Sequence, residues 1–379
     1  MTSSSQEIPD IRLPADLLPA DGRFGSGPSK VRQDALEALV AAAPGYLGTS
    51  HRNAAVKAVV GRVRAGLTEL FSLPDGYEVV LGNGGAASFW DVATFSLIRN
   101  RSQHAVYGAF SKSFAAGVKS VPHLEDPDVI EAEPGKHAEP QPAPGIDAYA
   151  LIHNETSTGV AVDVVRPQGA ADGALVLVDA TSAAGGMRVN PGDFDAYYFS
   201  PQKCFGSEGG LWLALCSPTA LQRAEELASE RWAPRSLSLS VAADQSRKDQ
   251  TYNTPALATL FLMADQIEWM LSGGGLEWAA ARSERSSDAI YRWAEASPYA
   301  MPFVQDPAER SPVVCTVEFD QTVDASRVTK ILRNNGIVDT EPYRGLGGNQ
   351  LRVAVYPNVE PDDAVTLTMA IDHIVAAIY

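Results

Sequence analysis

The sequence has few cysteines, fewer cations than anions and no long apolar run. Each of these features excludes a class of protein. Its three cysteines, Cys204, Cys216 and Cys315, are odd in number and widely separated. We therefore expect a reducing, cytoplasmic location and no disulfide framework. The chain has 30 Lys and Arg against 46 Asp and Glu, a formal charge of -16, and no basic cluster. Nucleic acids and anionic membranes attract basic surfaces, so neither is expected as a partner.

Segments that could enter or cross a membrane are also missing. The apolar run at 257–264 is far shorter than the roughly 20 residues that a membrane helix needs. Residues 1–10 are rich in serine and have no apolar core after a basic start, so we expect no secretory signal. The six histidines lack metal-ligand spacing, and we expect no metal.

What is present indicates an α/β protein with an arm and two domains. Apolar residues make up 45% of the 379, an ordinary globular composition. Residues 1–22 carry three prolines and predict an arm that packs on a smaller domain. Strand and helix patterns alternate through 23–272, the larger domain, and 273–379 predict the small α+β domain after a triple glycine that ends a helix. The predicted strands are 77–81, 105–107, 148–153, 174–178, 196–199, 210–215, 313–319, 336–340 and 350–355, and the predicted helices are 86–98, 255–271, 276–295, 324–334 and 361–377.

Three short segments carry chemistry. The first, Asn83-Gly84-Gly85-Ala86-Ala87, lies between a predicted strand and helix, where unobstructed backbone N–H groups form an anion cup. It matches neither a dinucleotide fingerprint nor a Walker loop. A tight strand-to-helix turn without a ligand remains the alternative.

The second and third segments place a carboxylate and an amine at strand ends. Asp179 follows the apolar residues 176–178, at the end of a strand where α/β sheets bind ligands. The alternative is a helix N-cap formed by Asp179 or Thr181. Lys203 follows the aromatic strand 196–199 and is a candidate for a lowered pKa and covalent attachment to a carbonyl. A lysine that extends its amine to solvent is the other interpretation.

A phosphate cup, a carboxylate and a lysine fit one cofactor. Pyridoxal 5'-phosphate has a phosphate, a basic ring nitrogen and an aldehyde, one for each group. Their order resembles fold-type I pyridoxal-phosphate enzymes. From about residue 23 to the C-terminus the chain further resembles the class V phosphoserine aminotransferase family, in its actinobacterial branch, through the segments Phe24-Gly25-Ser26-Gly27-Pro28, Ser50-His51-Arg52, Asn154-Glu155-Thr156, Pro201-Gln202-Lys203, Tyr252-Asn253-Thr254-Pro255 and Leu351-Arg352-Val353.

This resemblance implies a large domain with a mostly parallel seven-stranded sheet and a role for each matched residue. Lys203 would bind the cofactor aldehyde, Asp179 would keep the ring nitrogen protonated, and Thr156 would contact the phenolic oxygen. Phe110 matches the residue that stacks on the ring, which is commonly Trp in the family. The phosphate would be held by the backbone of Ala86 and Ala87, by Gln202, and by Asn253 and Thr254 of a second subunit.

The resemblance also implies the substrates. In the family, glutamate and 3-phosphohydroxypyruvate share one pocket, so the same cations accept a carboxylate and a phosphate. Arg352 matches the α-carboxylate anchor, with Ser26 beside it. His51 and Arg52 match contacts to the distal group from the neighbouring subunit, and Tyr343-Arg344 fall where the family often has a His-Arg pair.

We therefore expect a cytoplasmic homodimer that moves an amino group between glutamate and 3-phosphohydroxypyruvate, giving O-phosphoserine and 2-oxoglutarate in serine biosynthesis. Two alternatives remain open. Another class V aminotransferase, such as an alanine-glyoxylate type, would share Asp179 and Lys203 without needing the His51-Arg52 pair. A non-catalytic protein could also keep the fold and the cofactor.

Overall fold

A computed structural model describes residues 9–345 and 348–379. The expectations for residues 1–8 and for the middle of the loop 345–350 therefore lie outside the described residues. The helices are α1 (Gln33–Tyr46), α2 (Ala54–Leu70), α3 (Ala86–Ser96), α4 (Ala109–Lys119), α5 (Pro218–Glu230), α6 (Leu239–Ser246), α7 (Leu257–Gly273), α8 (Gly275–Ala296), α9 (Ala325–Asn334) and α10 (Pro361–Ile378). The strands are β1 (Glu78–Asn83), β2 (Ser102–Val106), β3 (Asp128–Glu131), β4 (Ala148–Ile152), β5 (Asn154–Glu155), β6 (Val160–Ala161), β7 (Leu175–Asp179), β8 (Ala196–Phe199), β9 (Leu211–Cys216), β10 (Ala300–Pro302), β11 (Val314–Phe319) and β12 (Gln350–Ala354).

The large sheet is mostly parallel, as predicted. Within the described residues, seven strands pair in the order β1-β9-β8-β7-β4-β2-β3. β7 runs parallel to β4 and β8, and β2 runs parallel to β3 and β4. Only β9 is antiparallel to its neighbours, β1 and β8. The carboxyl ends of β4, β7 and β8 therefore meet at one edge, where such sheets bind ligands.

Helices cover both faces of this sheet, because its central strands are apolar on both sides. In β7, Val176 and Val178 pack with α2 and α7, whereas Leu175 and Leu177 pack with α3 to α6 on the other face. Burial of every β7 side chain accounts for its continuous apolar run before Asp179. No helix was predicted at α1, α2, α4, α5 or α6. In α2 the buried residues nevertheless recur at helical spacing, from Val56 to Leu70.

A second hydrophobic cluster lies in the C-terminal part of the chain. It joins α8, α9 and α10 to the antiparallel sheet β10-β11-β12, and it includes Leu13 and Phe24 from the N-terminal region. The N–H of Leu13 donates to Asn335 Oδ1 at 3.0 Å, and the N–H of Ala20 donates to Asp363 Oδ1 at 2.7 Å. These contacts agree with an arm on the small domain, and the division at residues 22 and 272 stays a prediction.

The predicted strand at 336–340 is wrong. Gly336 and Asp339 have φ angles of 81° and 65°, which are incompatible with an extended strand. Val338 instead forms one isolated bridge with Arg23. The sequence analysis also missed β3 and β10, which lie at sheet edges and have alternating exposed residues. Such short strands form because a neighbouring strand offers main-chain hydrogen-bond partners. Their own residue pattern therefore predicts them poorly.

Two features are absent from the described residues. None of the helices in residues 9–345 and 348–379 is both long and apolar enough to cross a membrane. The same residues contain no group of three or more His, Cys, Asp or Glu side chains that could hold a metal ion. The absence of a metal stays a prediction.

Arg231 closes the C-terminal end of α3, and its loss is expected to destabilise the fold. Its guanidinium donates to the main-chain carbonyls of Thr94, Phe95, Ile98 and Arg99. Arg231→Leu removes the side-chain donor to Phe95, Ile98 and Arg99, while the Thr94 carbonyl keeps its contact with His123 Nε2 at 3.0 Å, so we expect the free energy of unfolding to fall by about 2 kcal/mol. Urea unfolding measures this loss. Arg292→Leu, which removes only an exposed ion pair with Asp288, should change stability by less than about 0.5 kcal/mol; equal losses would contradict the capping role.

Candidate active site

A cavity of about 590 Å³ lies at the carboxyl edge of the large sheet. It gathers nine of the predicted site residues, from both halves of the chain. They are Ser26, Ala86, Ala87, Phe110, Thr156, Asp179, Gln202, Lys203 and Arg352. A larger cavity of about 780 Å³, beside His137 and Arg310, contains none of them.

Lys203 is buried in this cavity, with only 7% of its surface exposed. Its Nζ donates to Thr156 Oγ1 at 2.8 Å, and Thr156 Oγ1 donates to Ser182 Oγ at 2.8 Å. Burial lowers the pKa of the Lys203 amine to about 8, although the Asp179 carboxylate opposes the shift. The side chain does not extend to solvent, and its amine can be neutral close to physiological pH.

Asp179 is the last residue of β7 and is 3% exposed. Its Oδ1 accepts hydrogen bonds from Thr181 N at 2.9 Å and Thr181 Oγ1 at 2.6 Å, and its Oδ2 accepts from Trp90 Nε1 at 2.9 Å. Burial raises the pKa of the carboxyl, while the donors from Thr181 and Trp90 and the positive Lys203 lower it. No helix begins at 180–187 in the described chain, so Asp179 is not a helix N-cap.

The glycine segment forms a turn that leads into α3, as the predicted anion cup requires. Gly84 has a φ of 118°, and a Cβ there would lie 2.5 Å from Ser88 Oγ, so both the backbone and the space require glycine. Ala86 begins α3, and the N–H groups of Ala86 and Ala87 belong to its unpaired first turn. Both residues line the cavity, so an anion held there would meet the positive end of the helix.

Arg352 lies on β12 and brings a cation to the same cavity. Its Nη1 donates to the carbonyl of Thr156 at 3.1 Å, and its buried Nε has no hydrogen-bond partner among the described residues. The guanidinium lies 5.4 Å from the ring centroid of Tyr343. Phe110 faces Lys203, with Nζ 5.5 Å from its ring centroid. An unpaired, buried donor is costly, and an anion in the cavity would satisfy it.

The other predicted residues do not line this cavity within one chain. His51, Asn253 and Thr254 form a separate group, in which Thr254 Oγ1 lies 3.2 Å from His51 Nδ1 and Asn253 N donates to Asn83 Oδ1 at 3.2 Å. His51 Nε2 is buried and has no partner among the described residues. Arg52 and Arg344 are exposed, the latter in a turn beside Tyr343.

Four hydrogen-bonding residues of the cavity were not among the predicted site residues. Trp90, Asn154, Thr181 and Ser182 line it, and Trp90 and Thr181 hold Asp179. A signal for Trp90 existed, since residues four apart lie on the same face of a helix and Ala86 opens α3. That Trp90 reaches Asp179 depends on the packing of α3 against β8 and β9, which no local pattern contains.

The residues present fit pyridoxal 5'-phosphate. The cavity combines an anion cup, a buried carboxylate and a lysine amine of lowered pKa. It also contains buried polar atoms without partners among the described residues, at Gln202 Oε1, Asn154 Oδ1 and Arg352 Nε. Buried polar atoms are normally paired, so these atoms are suited to a polar molecule.

Comparisons with known proteins agree with this geometry. The Aminotransferase class-V family model matches residues 129–340. A phosphoserine aminotransferase of Nocardioides sp. is 58% identical over 367 residues, covering 96% of this chain and 98% of the relative. That of Rhodococcus jostii is 58% identical over 365 residues, with coverage of 96% and 98%.

Solved structures show the same fold. The phosphoserine aminotransferase from Cytophaga hutchinsonii has a TM-score of 0.84 at 23% identity and covers 93% of this chain and 99% of its own. A structure described as PLP-bound phosphoserine aminotransferase from Trichomonas vaginalis has a TM-score of 0.76 at 17% identity, with coverage of 93% and 99%. The fold-type I architecture is thereby confirmed. With the sequence identities above, the chain belongs to the phosphoserine aminotransferase family of class V aminotransferases.

Proposed function

We propose that this protein binds pyridoxal 5'-phosphate in the 590 Å³ cavity and transfers an amino group between L-glutamate and 3-phosphohydroxypyruvate, giving O-phospho-L-serine and 2-oxoglutarate. The observation that carries the proposal is the buried Lys203 amine, with its pKa lowered to about 8, in one cavity with Asp179 and Arg352. The relatives named phosphoserine aminotransferase support the choice of substrate.

The cofactor supplies an aldehyde for the amino group and a ring that accepts electrons from the substrate's Cα. Lys203 would bind the aldehyde, Asp179 would hold a proton on the ring nitrogen, and Thr156 would contact the phenolic oxygen. Phe110 would stack on the ring. The phosphate would be held by the N–H groups of Ala86 and Ala87, by Gln202, and by Asn253 and Thr254 of the partner subunit.

Lys203 is also the base of the reaction. A neutral amine at Nζ could take the proton from the substrate's Cα and hold it for transfer in the next step. Its hydrogen bond to Thr156 Oγ1, 2.8 Å long, fixes where that nitrogen lies. The second half-reaction uses the same groups in reverse, since both substrates are handled in one cavity.

The substrate's two anionic ends need more positive charge than one chain supplies. Among the described residues that line the cavity, only Lys203 and Arg352 are cations. Arg352 binds the α-carboxylate with its unpaired Nε, and Ser26 contacts the same group. Lys203 would hold the cofactor and then move the substrate's proton, so the distal phosphate or γ-carboxylate requires a further cation. Arg52 and His51 of the partner subunit meet it, together with Arg344.

A homodimer with shared sites follows from this requirement. His51 Nε2 is buried and unpaired among the described residues, and Arg52 is exposed, so both are available to a neighbour. Helix α1, which leads to this segment, exposes Leu36 and Val40 four residues apart, the latter with 73% of its surface accessible. A second copy would bury this apolar face. The three buried, free thiols agree with a cytoplasmic location.

A coupled assay tests the reaction itself. Purified enzyme loaded with cofactor is given glutamate and one acceptor, either 3-phosphohydroxypyruvate, pyruvate or glyoxylate, and 2-oxoglutarate release is measured. We expect kcat/KM to be highest for the phosphorylated acceptor. A preference for glyoxylate or pyruvate would favour the alanine-glyoxylate type, and no turnover with any acceptor would favour a non-catalytic protein.

Arg52→Ala tests the distal contact. Loss of a charge-assisted, two-point contact should lower kcat/KM for both natural substrates by roughly 30- to 1000-fold. Slow transamination of alanine, which has no distal anion, is the control and should change little. Mixing this variant with Lys203→Ala should restore part of the activity, because mixed dimers contain one intact site. Equal losses for alanine and glutamate, or no recovery on mixing, would contradict a contact made across subunits.

The lowered pKa of Lys203 predicts how the cofactor-free protein reacts with added pyridoxal phosphate. Only the neutral amine attacks the aldehyde, so the rate should rise about tenfold per pH unit below the pKa of about 8 and level off above it. Asp179 raises this pKa, so Asp179→Asn should move the midpoint to lower pH. Stopped-flow absorbance measures both profiles. A midpoint near the ordinary lysine value of about 10.4 would contradict the effect of burial.

A further inference from the structure

Trp90 lies between the anion cup and Asp179, and neither the sequence motifs nor the proposed function gives it a role. We propose that Trp90 is a positioning residue whose indole N–H holds the Asp179 carboxylate ionised and correctly oriented for the ring nitrogen of the cofactor. This inference rests on the proposed function. Its evidence is the hydrogen bond from Trp90 Nε1 to Asp179 Oδ2, 2.9 Å long, at the wall of the cavity.

The hydrogen bonds to Asp179 divide between its two oxygens. Thr181 donates twice to Oδ1, through its backbone N–H and its hydroxyl, at 2.9 and 2.6 Å. Trp90 Nε1 is the donor recorded for Oδ2 among the described residues. The carboxylate is thus held from both sides, and its plane is fixed. Without the indole donor, Oδ2 would lose the hydrogen bond that it accepts among the described residues, and the group could rotate about the Thr181 contacts.

The donor also affects where the proton of the ion pair resides. Burial raises the pKa of Asp179, and each hydrogen bond to the charged form lowers it. The ring nitrogen and Asp179 compete for one proton, and the ring is an effective electron acceptor only when it holds that proton. Removing the Trp90 N–H makes the carboxylate more basic and moves the proton away from the ring. The hydrogen bond from Trp90 therefore favours the protonated ring nitrogen, on which the reaction at the substrate's Cα depends.

Packing fixes the indole rigidly enough for this role. Trp90 lies one turn beyond Ala86 on α3, so the helix that forms the phosphate cup also carries the donor. Its ring stacks on Phe114 of α4, with ring centroids 5.5 Å apart and planes at 15°. The same helix α4 carries Phe110 one turn earlier. The packed helices α3 and α4 thus carry the phosphate cup, the donor to Asp179 and Phe110, the residue proposed to stack on the cofactor ring.

Cofactor affinity of the apoprotein tests the inference without using turnover. Dissociation constants are measured by calorimetry for pyridoxal 5'-phosphate and for its carbocyclic analogue, in which the ring nitrogen is replaced by C–H. Trp90→Phe removes the N–H and keeps an aromatic ring on Phe114. Trp293→Phe is the matched control, because its Nε1 donates to Asp372 Oδ1 at 2.8 Å, outside the cavity.

We expect Trp90→Phe to weaken binding of the natural cofactor roughly tenfold and binding of the analogue less than about twofold. Trp293→Phe should change neither. Equal weakening for both ligands, or none, would overturn the role of Trp90. If the wild-type protein itself bound both ligands equally well, that result would instead refute the proposed contact between Asp179 and the ring nitrogen. Should Trp90→Phe not fold, Trp90→Leu, which also has no hydrogen-bond donor, repeats the test, and failure of both to fold would assign Trp90 to the fold alone.

Discussion

Lys203→Ala is expected to lower transamination by at least roughly 10³-fold while the protein still folds. The side chain supplies both the covalent attachment of the cofactor and the base at the substrate's Cα, so no other group takes over both tasks. Thr156 loses its donor, but its hydroxyl keeps the hydrogen bond to Ser182 Oγ at 2.8 Å. The neighbouring polar groups therefore stay partly satisfied. Steady-state rates measure the loss of activity, and circular dichroism of the same preparation shows whether the variant is folded.

Two further measurements make this result specific to Lys203. Borohydride reduction of the loaded wild-type enzyme, followed by peptide mapping, should place the cofactor on Lys203 and on no other lysine. Lys112→Ala, which removes an exposed amine paired with Glu131, should retain ordinary turnover. Ordinary turnover in Lys203→Ala, or a label on another lysine, would refute the assignment of the catalytic amine.

Asp179→Asn is expected to lower the rate by roughly 10² or more, because the amide cannot hold a proton on the ring nitrogen as a carboxylate does. The hydrogen bonds around Asp179 give a second reason for a loss of rate. Thr181 donates twice to Oδ1, which the amide oxygen can replace, so the amide NH₂ would face Trp90 Nε1, another donor. Two opposed donors cannot pair, and the side chain must shift.

The comparison for this variant is Asp372→Asn, at a surface carboxylate that also accepts from an indole N–H, that of Trp293. Single-turnover kinetics with glutamate measure the chemical step for each protein, and thermal unfolding measures its stability. We expect a large rate loss only for Asp179→Asn. A near-normal rate would mean that Asp179 serves the local turn with Thr181 and has no part in catalysis.

The sequence predicted the site best where the functional groups belong to short, continuous segments. The glycine cup, the apolar run that ends in Asp179 and the aromatic strand before Lys203 are local patterns, and all three groups line one cavity. The mostly parallel sheet was implied by the resemblance to fold-type I enzymes, while the alternation of strands and helices was visible in the residue pattern itself. The edge strand β3 escaped prediction, since half of its residues are exposed and its pairing with β2 decides its conformation.

The sequence by itself determined the family, the large-sheet architecture and the kinds of side chain at the site, because motif order and strand periodicity are written along the chain. The tertiary structure alone decided how those side chains act. Trp90 and Asp179 are 89 positions apart and meet only because α3 packs on the sheet. Lys203 has a pKa of about 8 because segments far away in sequence exclude water from its amine. Burial and its electrostatic consequences are properties of the packed molecule, and no local pattern records them.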